Sequence, residues 1–146
     1  MYLLADQHKP AGRVGRTEAI FASPTLEGVG RWVRGNAFNT RIADVKVREI
    51  TVNADDVWVY SIDAWESASH SQVEHAQDRG KAGFETYWSS GMTLTDWLAD
   101  GTLDAGEWEC LLDPSLVLGV RPVSAKRVAA AQTDDDWAAD ILRALR

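Results

Sequence analysis

The chain has 146 residues, 45% hydrophobic and 25% charged, which excludes a disordered segment and reads as one domain over residues 1–146. Its net charge of −7 disfavours non-specific coating of nucleic acid, and no apolar run approaches the ~20 residues that a membrane span needs. Cys110 is the only cysteine, so an internal disulfide is excluded and a cysteine-built zinc site is disfavoured.

Residues 2–5 read as a short first strand and 6–17, with Pro10, Gly12 and Gly15, as a loop. Residues 18–22 read as a second, short and largely apolar strand. The run 23–36 predicts a helix, with Ser23 at the N-cap, Pro24 at the first helical position and Gly35 at the stop. Leu26, Val29, Trp32 and Val33 recur at helical spacing, while Gly28 and Gly30 each weaken the helix by about 1 kcal/mol relative to Ala. Residues 44–54 are rich in β-branched side chains whose phase changes near Glu49, which predicts a bulged strand or two short ones. The turn chemistry of residues 53–56 then points to a hairpin with the strand 56–63. A helix is expected around 68–79, broken between Gly80 and Gly83, and a short helix over 92–101, capped by Thr93 or Thr95 and stopped by Gly101. Residues 107–112 and 115–123 read as two strands joined at Asp113 and Pro114. The tail 133–146 is an amphipathic helix with Asp134 to Asp136 in its first turn and Arg143 and Arg146 in its last, which suits the helix dipole better than it suits a metal. Short strands that do not alternate with long helices indicate an α+β fold with mostly antiparallel sheets.

The chemistry-bearing residues are few. His70 and His75 stand five apart, roughly 140° around a helix, and so do not make a zinc pair; no metal site is expected. His8 reads as a solvated loop residue. No dinucleotide glycine pattern, P-loop or nucleophile elbow is present. Glu107 and Glu109 lie two apart at the start of an apolar strand, so both are expected on one face. Carboxylates so placed repel each other and can serve acid–base work or stabilise a developing cation; the alternative is a solvent-facing edge with Trp108, Cys110 and Leu112 turned inward.

The run Glu107, Glu109, Cys110, Leu111, Pro114, Val120 resembles the Glu-x-Glu segment of mono-ADP-ribosyltransferases. Phe21-Ala22-Ser23-Pro24-Thr25, followed by a helix, is similar to the same family's Phe-x-Ser-x-Thr strand, and the two motifs occur in the family's order. The resemblance implies a split β-sandwich of two mostly antiparallel sheets with flanking helices, NAD as substrate, and transfer of ADP-ribose to an acceptor, a protein side chain being the expected one. It assigns Glu109 to the ribose hydroxyl and to the oxocarbenium-like charge left when nicotinamide departs, and Glu107 to the incoming nucleophile. Ser23 would hold Glu109 by a hydrogen bond, Thr25 would support it, and Phe21, Tyr87 or Trp88 would cover the nicotinamide ring. The stretch after Trp88 reads as flexible enough to close over a ligand. The family's first strand carries an Arg or His; here Leu3 or Leu4 stands in its place, so that Arg16, Arg13 or His8 would have to supply the donor from the following loop.

Three functions follow as expectations. The first is a transferase, or a glycohydrolase using water, of the kind a toxin or a phage-borne modifier carries. The second is an inactive module that binds NAD, ADP-ribose or a protein on the same fold. The third is a small structural or interaction protein presenting its seven tryptophans. The N-terminus lacks a secretory pattern, which makes the cytoplasm the expected compartment.

Overall fold

The computed structural model describes residues 1–36, 46–74 and 77–145. In chain order the elements are α1 (Tyr2–Asp6), β1 (Ile20–Ala22), α2 (Leu26–Asn36), β2 (Val47–Thr51), β3 (Trp58–Ser61), α3 (Ile62–Glu74), α4 (Gln77–Ser89), β4 (Met92–Thr93), α5 (Leu94–Ala99), β5 (Trp108–Leu112), β6 (Gly119–Val123), α6 (Ala125–Ala130) and α7 (Asp135–Ala144). The class is α+β, with two antiparallel sheets. One has the strand order β1-β5-β3-β4 and the other pairs β2 with β6.

The apolar strand β5 sits between β1 and β3 and is covered on both faces. Leu111 joins Tyr60, Ala68, Phe84, Tyr87 and Trp88 on the side of α3 and α4. Cys110 and Leu112 join Val57, Val59 and Trp97 on the opposite side. A third cluster, Val33, Val128, Ala129 and Ile141, fastens α2, α6 and α7 against Val47 and Val123 of the smaller sheet.

Several boundaries differ from expectation for local reasons. Residues 2–5 lie in helix α1 instead of a strand, and only Ala5 of that helix is buried. Helix α2 starts two residues later than the Ser23/Pro24 reading. Thr25 is its cap, its Oγ1 accepting from the Gly28 amide at 3.2 Å, while the Ser23 hydroxyl donates to the Thr25 carbonyl at 2.9 Å. Gly28 is a close-approach point: a Cβ there would lie 2.7 Å from the Ala105 carbonyl oxygen. The expected bulged strand over 44–54 lies partly outside the described residues, and its described part, β2, ends at Thr51. Residues 53–56 do turn, with Asn53 Oδ1 accepting from the Asp55 amide, but the turn links two different sheets and makes no hairpin. Gly80 and Gly83 do not break a helix. They lie inside α4, where a Cβ on Gly83 would meet Ala68 Cα at 3.0 Å, so glycine lets α3 and α4 approach. Thr93 is the cap of α5, accepting from the Asp96 amide at 3.2 Å. Residues 125–130 form a helix where the sequence reading assigned no element, and Asp134 caps α7 as its position predicts, accepting from the Trp137 amide at 2.8 Å.

Candidate functional site

The residues singled out from the sequence are distributed over three places. The first is the α3/α4 face of β5. Strand alternation sends Glu109 there beside Leu111, and the paired strands β1 and β3 hold it in the sheet interior, 2% exposed. Arg16, 4% exposed, reaches it from the stretch between α1 and β1 and donates from Nη1 to Glu109 Oε1. The same Nη1 donates to Tyr87 Oη at 2.6 Å, and the Tyr87 hydroxyl donates to Glu109 Oε1 at 2.9 Å. The guanidinium lies over the rings of Trp65 at 3.6 Å, Phe21 at 4.7 Å, Tyr2 at 4.8 Å and Tyr87 at 5.2 Å. Its Nε is buried and has no hydrogen-bond partner among the described residues.

The charges in this box are mutually dependent. Burial works against the Arg16 charge, but Tyr87 and Glu109 outweigh it and hold the guanidinium protonated above its ordinary range. Burial, reinforced by Glu109, pushes the Tyr87 phenol up, so it remains a donor. Burial and then Glu109 push the Cys110 thiol up to about 12, leaving it a small apolar side chain and no nucleophile. Trp88 packs at the back of this face against Tyr60 and Tyr87 and donates from Nε1 to the Ala5 carbonyl at 2.7 Å. The residues after it are tied down: Ser90 Oγ donates to the Tyr87 carbonyl at 2.6 Å and accepts from the Ser61 amide at 3.1 Å.

The second place is a cleft of about 690 Å³ between the two sheets, on the opposite face of β5. Ser23 and Thr25 stand on its wall with aliphatic side chains such as Ile20, Leu26, Ile50 and Leu112, and Lys46, Arg48 and Arg127 lie along it. Arg127 pairs with Glu49 at 3.3 Å, and Glu49 also takes Arg121, which lowers its own pKa chiefly through that hydrogen bond. Lys46 and Arg48 carry no acidic partner among the described residues.

The third place holds Glu107. It ends a 3-10 turn, Ala105–Glu107, and is exposed at the edge of a polar pocket with Glu27, Arg31, Asp104 and Trp137. The turn breaks the strand phase, so Glu107 and Glu109 do not project together. Ser23 likewise reaches Thr25 and not Glu109. The structure does bring Glu109, Arg16, Phe21 and Tyr87 into one contact set. Tyr2 and Trp65, which complete it, carry no sequence signal beyond being aromatic. His8 stacks on Phe84, and His70 Nδ1 bonds the Glu66 carbonyl at 2.7 Å; His75 lies outside the described residues. Among the described residues no group of His, Cys, Asp and Glu is arranged to hold a metal ion, and no helix is long and apolar enough to cross a membrane.

No protein-family model, no curated protein and no solved structure matches this chain.

Proposed function

We propose that this chain binds an NAD- or ADP-ribose-type nucleotide in the cleft between its two sheets. The supporting observation is the composition of that cleft. An apolar wall of nucleotide-accommodating size, about 690 Å³, carries Ser23 and Thr25 and has Lys46, Arg48 and Arg127 along it. The wall suits a base or a nicotinamide ring, the hydroxyls suit ribose, and Arg48 and Lys46 suit a pyrophosphate, for which a guanidinium offers a two-pronged donor. Glu109 lies on the other face of β5, paired with Arg16 and not open to this cleft, which favours binding over turnover. Calorimetry with ADP-ribose tests the reading. Saturable binding that weakens at least tenfold in Arg48→Ala and at raised salt is expected. No heat with either ADP-ribose or NAD overturns it and leaves the small interaction protein.

A second reading, a mono-ADP-ribosyltransferase, is favoured by the convergence of Glu109, Arg16 and Phe21. Here the bond between nicotinamide and ribose C1 breaks, nicotinamide leaves with the electron pair, and Glu109 stabilises the oxocarbenium-like charge until an acceptor oxygen or nitrogen adds and loses its proton. That chemistry requires the Arg16 pair to open. Nicotinamide release from NAD, measured with and without a cell lysate as acceptor source, separates the readings. Release that disappears in Glu109→Gln supports transfer when it needs lysate, and glycohydrolysis when it does not. ADP-ribose binding with no release supports the binding module.

A further inference from the structure

The basic rim of the cleft is also the rim of a second cavity. A pocket of about 380 Å³ opens past the end of the smaller sheet, walled by Pro122, Val123, Ala125 and Leu145. Lys46, Val47, Arg48 and Val123 line this pocket and the larger cleft alike. The register explains the sharing. Val47 and Val123 form the last pair of β2 with β6, so Lys46 stands just beyond the paired strands, and Arg48 is paired with Pro122. Alternation turns Arg48 to the side of Ile50, which packs on the core of the larger sheet, and Val47 to the side of Leu145 and the cluster of α6 and α7. The backbone of residues 46–48 is therefore the divide between the two cavities, and both cations stand on it.

The charges on the divide are open to a ligand. Arg127 is engaged by Glu49, whereas Lys46 and Arg48 are exposed and carry no acidic partner among the described residues. In a chain of net charge −7 such a pair is a local exception. A phosphate group attached to one nucleoside would leave the second cavity unused. Two cavities flanking two cations match a molecule with two ring-bearing halves joined by a pyrophosphate, in which each phosphate meets one cation. The walls differ in size and kind. The cleft has the larger volume, the hydroxyls of Ser23 and Thr25, and Trp32, which at 39% is the one exposed tryptophan of the seven. It suits a purine, whose face stacks on an indole. The smaller pocket, with its aliphatic walls, suits a single-ring base.

We propose that the ligand is a dinucleotide straddling residues 46–48, with its pyrophosphate on Lys46 and Arg48, adenosine in the cleft, and a second, single-ring nucleoside in the pocket beside Leu145. The inference rests on the nucleotide reading of the cleft and adds the other half of the ligand. The test is calorimetry on the full chain with NADH and ADP. NADH carries the reduced ring, so it has no pyridinium leaving group to lose during the titration. It is expected to bind at least tenfold tighter than ADP, although ADP carries the greater negative charge. Ala125→Phe, which fills the smaller pocket, should remove that advantage and leave ADP within about twofold of its wild-type affinity. If Ala125→Phe does not fold, Pro122→Phe, at an exposed strand position, narrows the same pocket. Equal affinities for NADH and ADP, or an NADH advantage that survives in a folded pocket-filling variant, overturn the inference, while ADP binding upholds the cleft. No heat with NADH, ADP or ADP-ribose overturns the nucleotide reading, and the inference falls with it.

Discussion

Arg16 and Glu109, 93 positions apart in the chain, share a hydrogen-bonded ion pair in which each side chain is 3% exposed. Such a pair costs desolvation on both sides, so its two members are worth more together than either is alone. Glu109→Ala, which strands a buried guanidinium, is expected to cost about 3–5 kcal/mol, a large part of the ~5–15 kcal/mol of a domain this size. Arg16→Met with Glu109→Leu should cost less than Glu109→Ala alone, because neither charge is left unpaired. Urea denaturation of the set measures this, and single variants that each lose under about 1 kcal/mol would show that water reaches the pair.

The cap of α2 is Thr25 and not Ser23, where the sequence reading placed it. Thr25→Ala should cost about 1 kcal/mol, with Thr25→Ser restoring most of it, because Thr25 Oγ1 satisfies the Gly28 amide. Thermal unfolding decides the matter, and a Thr25→Ala chain as stable as the wild type removes the cap assignment.

Gly28→Ala sets helix propensity against packing. Alanine is the better helix former by about 1 kcal/mol, yet its Cβ would sit 2.2 Å from Ser23 Oγ and 2.7 Å from the Ala105 carbonyl oxygen. The backbone oxygen cannot swing away, so a net loss of about 1–3 kcal/mol is expected. Gly101→Ala, with nothing within 4 Å of the new Cβ, is the control and should fall within about 0.5 kcal/mol of the wild type. A stabilised Gly28→Ala chain would contradict the close approach.

Alkali should weaken the fold through buried groups that include Cys110 on β5 and Tyr87 on α4, with Tyr60 on β3 raised in the same direction by burial. Cys110 is raised from 9.0 to about 12 and Tyr87 is raised above 10.0, both chiefly by burial. The folded chain therefore keeps protons that the unfolded chain releases. Stability is fully present below pH 9, falls as pH rises through the window from 9 to 12 for the thiol, and continues to fall for the phenol from pH 10 upward. The slope reaches about 1.4 kcal/mol per pH unit per group. Melting temperatures from pH 7 to 11 measure the decline; Cys110→Ala should delay its onset, and a flat profile would refute the shifts. For the same reason a thiol reagent at pH 8 should leave native Cys110 unmodified and label it in urea.

What the sequence showed clearly was periodicity and capping. The amphipathic tail, the strand around Glu109 and the α+β class follow from local patterns that the structure keeps. The misreadings arise where a tertiary contact overrides a local rule. Gly80 and Gly83 look like punctuation until Ala68 is seen against Gly83. The two-residue spacing of Glu107 and Glu109 implies a shared face only if both are in the strand, and the 3-10 turn ending at Glu107 removes one of them. The buried cation was legible only as one candidate among Arg13, Arg16 and His8, because nothing local to Arg16 announces a partner 93 residues away.

The position of β5 late in the chain also dictates an order of assembly. Phe21 and Val59 both lie on strands that pair only with partners from farther along, Phe21 with Leu111 and Val59 with Cys110 and Met92. Among the described residues β1 has no neighbour in its sheet except β5. During synthesis β1 must therefore wait, unpaired, until Trp108–Leu112 has left the ribosome, while β3 can pair first with β4. Such distant pairings close large loops and slow folding. The interval before β5 arrives is when a nascent chain of this protein is most open to aggregation and most dependent on a chaperone.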